Sequence, residues 1–182
     1  NRKYRENTAD FIRNFDADKI NRIVVVNNKD AAGGFGHTAV MVINEKNQSV
    51  LFSYYASEDK GLNYVPGQTR LAVYNSEEEY KNILYHRHKR AYLVTNEGEI
   101  KQENYNDSLC LTINYNDGMN AFNKIADMYV NPGIYKLDSN NCDTHTYQIV
   151  TAAGKFYDYC KFSPNKSYGD TSMYYKEPRI WK

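Results

Sequence analysis

The sequence predicts an α+β fold in which helices flank a central antiparallel sheet. Short β-branched and apolar runs, bounded by polar or glycine-containing turns, cluster in the first two-thirds of the chain. Segments with apolar residues at helical spacing lie between and after these runs. The chain has 182 residues, which is enough for one domain with a sizeable core.

The strands are predicted from their β-branched content and from the turns between them. They cover residues 22–26, 37–43, 50–55, 71–74, 90–95 and 109–115, and residues 37–55 form a hairpin. Residues 57–70 are polar and contain the turn signal Pro66-Gly67, so we interpret them as a connection. The polar stretch from Asn96 to Asp107 is interpreted as a turn or the end of a hairpin.

Four helices are predicted, over residues 4–15, 77–88, 117–130 and 142–153. The last of these ends before Gly154, a residue type that commonly follows a helix. We interpret residues 1–182 as a single domain, with 1–20 as an N-terminal helical appendage and 155–182 as an irregular C-terminal wrap. The chain begins with Asn1 rather than Met, so we expect a processed product or an excised domain.

Charge and hydropathy exclude several classes of function. Lys plus Arg number 23 and Asp plus Glu number 22, so the net charge is +1 and nucleic-acid binding is not expected. No apolar run approaches the length of a membrane-spanning helix. The 18 tyrosines are unusually many, and their rings could line a groove for a peptide or a glycan.

The cysteine count favours neither a disulfide framework nor a metal site. The chain has three cysteines, Cys110, Cys142 and Cys160. No Cys-x-x-Cys pair and no His/Cys spacing typical of zinc ligands occurs. We therefore expect no cofactor and no metal.

Cys142 is the candidate nucleophile. It lies in the polar run Ser-Asn-Asn-Cys-Asp, at the first turn of the helix predicted over 142–153. The dipole and the free N–H groups of a first turn favour a thiolate and can also hold an oxyanion. The alternative is a buried structural cysteine, a common fate of free thiols.

His37 is the candidate general base. It follows the glycine-rich run Gly-Gly-Phe-Gly and opens an apolar strand. A thiol at a helix start and an imidazole on a strand are two parts of a cysteine-nucleophile site. A third group should orient the imidazole, and we select Ser53 over Ser57 and the hydroxyl of Tyr55. His145, three residues after Cys142, is the rival base, but two side chains projecting from the same helix face are poorly oriented for proton transfer.

The two stretches resemble a known family. Gly-Phe-Gly-His37-Thr-Ala-Val-Met-Val-Ile, followed by Val-Leu-Phe-Ser53-Tyr, resembles the histidine hairpin of papain-like hydrolases of circularly permuted, NlpC-type order. Asn-Asn-Cys142-Asp, leading to Ala-Ala-Gly154, resembles their cysteine helix. The layout is most similar to C-terminal toxin domains of bacterial polymorphic effectors, including Rhs-type effectors. The second histidine that many NlpC-type members use has no clear counterpart.

The resemblance implies a secreted or delivered bacterial toxin domain that acts as a peptidase, amidase or deamidase through a thioester. Cys142 would be the nucleophile, and His37 would serve as general base and acid. N–H groups at the start of the Cys142 helix would form part of the oxyanion hole. A protein, a peptide or peptidoglycan would be the substrate, and a cognate immunity protein the partner. The alternative is a non-catalytic peptide- or glycan-binding module on the same fold.

Overall fold

A computed structural model describes residues 12–57, 61, 63–85 and 89–177. The strands are β1 (Ile20–Asn28), β2 (His37–Asn44), β3 (Ser49–Ala56), β4 (Val65–Tyr74), β5 (Lys89–Thr95), β6 (Ile100–Tyr105), β7 (Asp107–Thr112) and β8 (Ile134–Tyr135). The α-helices are α1 (Glu77–Tyr85), α2 (Tyr115–Val130), α3 (Cys142–Ala152) and α4 (Pro164–Lys176). Across these described ranges, no helix is both long and apolar enough to cross a bilayer.

The prediction of an α+β class with an antiparallel central sheet is confirmed. The strands pair in the order β6-β5-β4-β3-β2-β1-β7, with β8 beside β4, and each pairing is antiparallel. The predicted hairpin over 37–55 corresponds to β2 and β3. All eight residues of β2 are buried. Full burial of a valine, isoleucine or methionine side chain, as in the middle of this strand, contributes about 1.5–3 kcal/mol to the stability of the fold.

The sheet curls until its two edge strands meet. Asn106 alone connects β6 at one edge to β7 at the other. Its N–H donates to the carbonyl of Asn27 on β1 at 3.0 Å. The curl brings side chains from strands far apart in the sheet order close together on the inner face. This closure positions the candidate site.

The two faces of the sheet carry separate clusters of buried residues. Helices α2, α3 and α4 cover one face, where Val40, Phe52 and Ile149 pack together. Helix α1 covers the other face, where Met41, Leu51 and Tyr80 pack together. Neighbouring residues of β2 therefore point to different helices, as the period of two in a strand requires.

The interpretation of residues 57–70 as a connection is wrong for its last six residues. Strand β4 begins at Val65 and continues through Pro66 and Gly67. Pro66 is tolerated because it lies at the start of the strand. Gly67 is required because a Cβ there would lie 2.0 Å from Oη of Tyr54.

The interpretation of residues 96–107 as a turn or the end of a hairpin is right for the first residues, which form the turn between β5 and β6, and wrong for most of the rest. These residues contain β6, which pairs with β5 from Lys89↔Tyr105 to Val94↔Ile100. Only the segment around Gly98, which has a φ of 83°, forms the turn.

The expected irregular wrap over 155–182 contains the thirteen-residue helix α4. Ser163 caps this helix by accepting from the N–H of Lys166, and Pro164 occupies its first turn. Of the predicted helix over 4–15, residues 12–15 are described; 12–14 are helical, and Phe15 lies just after the helical residues. Residues 4–11 lie outside the described part.

Candidate active site

Cys142 is the first residue of helix α3. Asn141 caps this helix, and its side chain accepts from the N–H groups of Asp143 and Thr144 at 3.0 and 3.1 Å. The Thr144 hydroxyl in turn accepts from the N–H of Asn141 at 2.7 Å, which completes a reciprocal capping box. The helix ends before Gly154, whose φ of 70° suits a glycine.

The cap reduces the number of first-turn N–H groups that could bind an oxyanion. Asn141 occupies the N–H groups of Asp143 and Thr144, and its carbonyl accepts from the N–H of His145 at 3.1 Å. In the part of the chain that the structure describes, the N–H of Cys142 has no acceptor. It is therefore the first-turn donor left for an oxyanion.

His37 is the first residue of β2 and is only 2% exposed. The glycine loop before it is fixed by Asn165 at the start of α4. The Asn165 amide donates to the carbonyls of Lys29 and Gly34 at 2.9 and 3.0 Å. A Cβ on Gly36 would lie 2.0 Å from Oδ1 of Asn165, and the φ of 94° also favours glycine. These contacts fix the loop and therefore the position of His37 at the start of β2.

One nitrogen of the His37 ring is held by a serine and a carboxylate. Nε2 lies 2.8 Å from Oγ of Ser53 and 3.3 Å from Oε1 of Glu103. The Ser53 hydroxyl donates to the same Glu103 oxygen at 2.8 Å. Because the single proton of Ser53 is given to Glu103, Ser53 accepts from Nε2–H. This assignment leaves Nδ1 as the ring nitrogen that can exchange a proton with a thiol.

Glu103 is itself fixed by buried partners. Its Oε2 accepts from the Arg70 guanidinium at 3.0 Å, and the Tyr105 hydroxyl donates to its Oε1. The side chains of Arg70 and Glu103 are 3% and 2% exposed. Burial opposes ionisation, but the hydrogen bond and charge of His37, with Arg70, outweigh it and lower the pKa of Glu103. The carboxylate is therefore charged at neutral pH.

The His37 imidazole interacts with both the Cys142 thiol and the Glu103 carboxylate. Burial disfavours its charged form, but the thiolate charge of Cys142, a hydrogen bond to Cys142 and the contact with Glu103 raise the pKa of His37 above its ordinary value. The thiol and the imidazole are thus within interaction range. The imidazole therefore keeps its proton at neutral pH.

Tyrosine rings form part of the surroundings of the thiol. Tyr55 stacks on the His37 ring at 4.2 Å between centroids, and the Arg70 guanidinium lies 4.1 Å from the Tyr55 centroid. Burial first, and then the nearby Cys142 charge, raise the pKa of Tyr135. Both phenols are therefore neutral, and both can offer an O–H to a bound group.

His145, the rival base, points away from this role. Its ring stacks on Tyr54 at 3.7 Å between centroids, and its Nδ1 lies 3.0 Å from the carbonyl of Asn141. Burial lowers the pKa of His145 to about 4, although the Asn141 carbonyl partly opposes this. The ring is neutral and packed in the core. Cys110 is exposed on β7, and Cys160 is half-buried.

The structure brings together the three residues selected from the sequence, Cys142, His37 and Ser53. It adds Glu103, which lies in the stretch mistaken for a turn. The sequence does contain a signal for this residue. Glu103 and Tyr105 lie two residues apart after a glycine turn, and residues at this spacing on a strand share a face. No cluster of three or more His, Cys, Asp or Glu suited to a metal occurs among the described residues.

Comparisons with known proteins identify a shared fold. No family model and no curated protein matches the sequence. Among solved structures, the chain is similar to the crystal structure of the type VI secretion system effector TseH. The sequence identity is 16% and the TM-score is 0.52, and the match covers 85% of this chain and 89% of the TseH chain. This chain therefore has the α+β fold of that effector.

Proposed function

We propose that this chain is a cysteine hydrolase of permuted papain-like architecture, which acts as the toxin domain of a delivered bacterial effector. The observation that carries the proposal is the chain of contacts from the Glu103 carboxylate through Ser53 to Nε2 of His37. Together with Cys142 it corresponds to a nucleophile, a base and an orienting acid. The similarity to TseH, a type VI secretion effector, supports the effector role.

The proposed reaction is acyl transfer from an amide. The Cys142 thiolate adds to the carbonyl carbon, and the N–H of Cys142 binds the resulting oxyanion. The His37 imidazolium gives its proton to the leaving amine, and the C–N bond breaks to leave a thioester. His37 then takes a proton from water, and the hydroxide that this forms displaces the thiolate and releases the acid.

Glu103 and Ser53 have supporting roles in this scheme. Glu103 stabilises the positive charge on His37 and, through Ser53, fixes the ring orientation. The Arg70 guanidinium and the Tyr105 hydroxyl hold the carboxylate by hydrogen bonds. A protein, a peptide or peptidoglycan is the proposed substrate, and a cognate immunity protein would protect the producing cell.

The non-catalytic binding module is the second candidate. The sequence favours it because the second histidine of many NlpC-type members has no clear counterpart, and the Glu103 carboxylate beside His37 weakens that argument. The many tyrosines still favour contact with a peptide or a glycan. This alternative predicts that Cys142 has no unusual reactivity.

A direct test measures the alkylation of each cysteine by iodoacetamide at pH 6, with mass spectrometry to assign the sites. We expect Cys142 to react faster than the exposed Cys110, and His37→Ala to remove this advantage. Cys110→Ser is the matched control and should leave the Cys142 rate unchanged. Equal rates for Cys142 in the wild type and in His37→Ala would refute the activated pair.

The effector role needs a separate test. The chain would be expressed in a bacterial host, with and without a periplasmic export signal, and growth would be recorded. We expect growth arrest in one compartment, and we expect Cys142→Ala to abolish it while Cys110→Ser does not. Arrest by Cys142→Ala equal to that of the wild type would favour the binding module.

A further inference from the structure

The residues that directly follow the base and the nucleophile are bonded to each other. Thr38 follows His37 on β2, and Asp143 follows Cys142 on α3. The Thr38 hydroxyl donates to Oδ1 of Asp143 at 3.2 Å. This bond ties the strand of the base to the helix of the nucleophile, one residue from each reacting group.

A second contact strengthens the same tie. The Thr146 hydroxyl, one turn along α3, lies 3.0 Å from Oγ1 of Thr38 and 3.0 Å from the carbonyl of Cys142. Thr38 is 1% exposed and Thr146 is 2% exposed. The Thr38 hydroxyl is therefore enclosed between two side chains of the nucleophile helix, with little room to move.

Asp143 is an unusual group to bury. It is 2% exposed, and in the described ranges its contacts are hydroxyls rather than cations. The Ser167 hydroxyl donates to Oδ2 at 2.6 Å, and the Tyr157 hydroxyl donates to Oδ1. Thr38, Tyr157 and Ser167 thus approach one carboxylate from β2, from the segment after α3 and from α4. A buried carboxylate is costly without such donors.

We propose that Asp143 is a positioning residue that sets the separation between the Cys142 thiol and the His37 imidazole by holding Thr38. The inference rests on the proposed function and adds to it a residue that touches neither reacting atom. Displacement of a reacting group by about 1 Å can cost about 10²-fold in rate. A strand and a helix fixed by one buried hydrogen bond beside the pair avoid such displacement.

The test compares hydroxyls bonded to the same carboxylate. Thr38→Val removes the donor on the side of the base with little change of volume, and Ser167→Ala removes the donor on the side of α4. The iodoacetamide rate of Cys142 at pH 6, relative to Cys110, is the measurement. We expect about a tenfold loss for Thr38→Val. We expect Ser167→Ala and the hydroxyl-retaining Thr38→Ser to stay within about twofold of the wild type.

The outcomes separate this inference from the proposed function. If the wild-type rate does not depend on His37, the proposed function fails and this inference fails with it. If the rate depends on His37 but Thr38→Val leaves it unchanged, or lowers it no more than Ser167→Ala does, Asp143 does not position the pair. An alkylation rate of Cys142 in Thr38→Ser as low as that in Thr38→Val would also overturn the inference. Thermal unfolding checks that each variant is folded, and Thr38→Ala replaces Thr38→Val if the latter is not.

Discussion

The Glu103 carboxylate lies 3.3 Å from Nε2 of His37, although β3, β4 and β5 separate their strands in the sheet. The contact exists because the sheet curls until β6 and β7, its two edge strands, are joined by Asn106. In a flat sheet, four strand spacings of nearly 5 Å would separate the two strands. The geometry of the base is therefore a property of the closed sheet.

Loss of the Glu103 charge should lower the reactivity of Cys142. In Glu103→Gln, the imidazolium loses its negative partner, so less of the thiol is ionised at pH 6. We expect the iodoacetamide rate of Cys142 to fall about 10²-fold, a usual size for general acid–base contributions. Ser53→Ala keeps the carboxylate and should cost less. A larger loss in Ser53→Ala would mean that the serine, not the glutamate, orients the ring.

Glu103 should also stabilise the fold in a way that depends on pH. Glu103→Gln removes the carboxylate that pairs with the buried Arg70 guanidinium, and breaking a buried ion pair in this way costs about 3–5 kcal/mol. The pKa of Glu103 is lowered in the folded protein, so its contribution is full above the ordinary pKa of 4.5 and is lost as the pH falls. The difference in unfolding free energy between wild type and Glu103→Gln should therefore shrink from pH 6 to pH 3.

Urea unfolding at both pH values measures this difference. Glu97→Gln makes the same chemical change at an exposed turn position and should alter stability by less than about 0.5 kcal/mol. A difference for Glu103→Gln that grows on acidification would contradict the assignment.

His145 should be dispensable for thiol activation. Its ring is neutral because burial lowers its pKa to about 4, and it packs on Tyr54. His145→Phe retains a ring of similar shape, so we expect the pH profile of Cys142 alkylation to keep its midpoint. His37→Ala should shift that midpoint upward. A shift of the same size in His145→Phe would make His145 part of the acid–base pair.

Two helical glycines should respond in opposite ways to alanine. A Cβ on Gly118 in α2 would lie 2.5 Å from the carbonyl oxygen of Ile20, whereas one on Gly169 in α4 meets nothing within 4 Å. Gly169→Ala should stabilise by about 0.5–1 kcal/mol, the difference in helix propensity. Gly118→Ala should destabilise by about 1–3 kcal/mol through overpacking. Equal effects in thermal unfolding would show that α2 can shift away from β1.

The sequence predicts best where apolar pattern and capping agree. Residues 22–26 and 37–55 contain β-branched and apolar runs, and these runs lie in β1, β2 and β3. The helix predicted over 142–153 corresponds to α3. Asn141 and Gly154 mark its ends by their chemistry, since one caps N–H groups and the other adopts a positive φ. The polar run before Cys142 and the glycine-rich run before His37 placed these residues at a helix start and a strand start without knowledge of the fold.

The missed elements lack an apolar pattern for physical reasons. Strand β6 carries Glu103 on its inward face. A charged residue therefore occupies a buried position, and the sequence of this strand shows no apolar alternation. Helix α4 buries Ser167, Thr171 and Ser172 together with one tyrosine, and small hydroxyl side chains show no hydrophobic period. In both cases the polar groups are buried because other buried groups pair with them, and this information lies elsewhere in the chain.

The single-residue link at Asn106 also bears on when the site can form during synthesis of the chain. During synthesis His37 emerges first, Glu103 follows much later, and Cys142 comes last. A nascent chain shorter than 142 residues lacks Cys142, and contacts this distant in sequence form late in folding. We therefore expect the proposed pair of Cys142 and His37 to form only after helix α3 has been synthesised and has docked on the sheet.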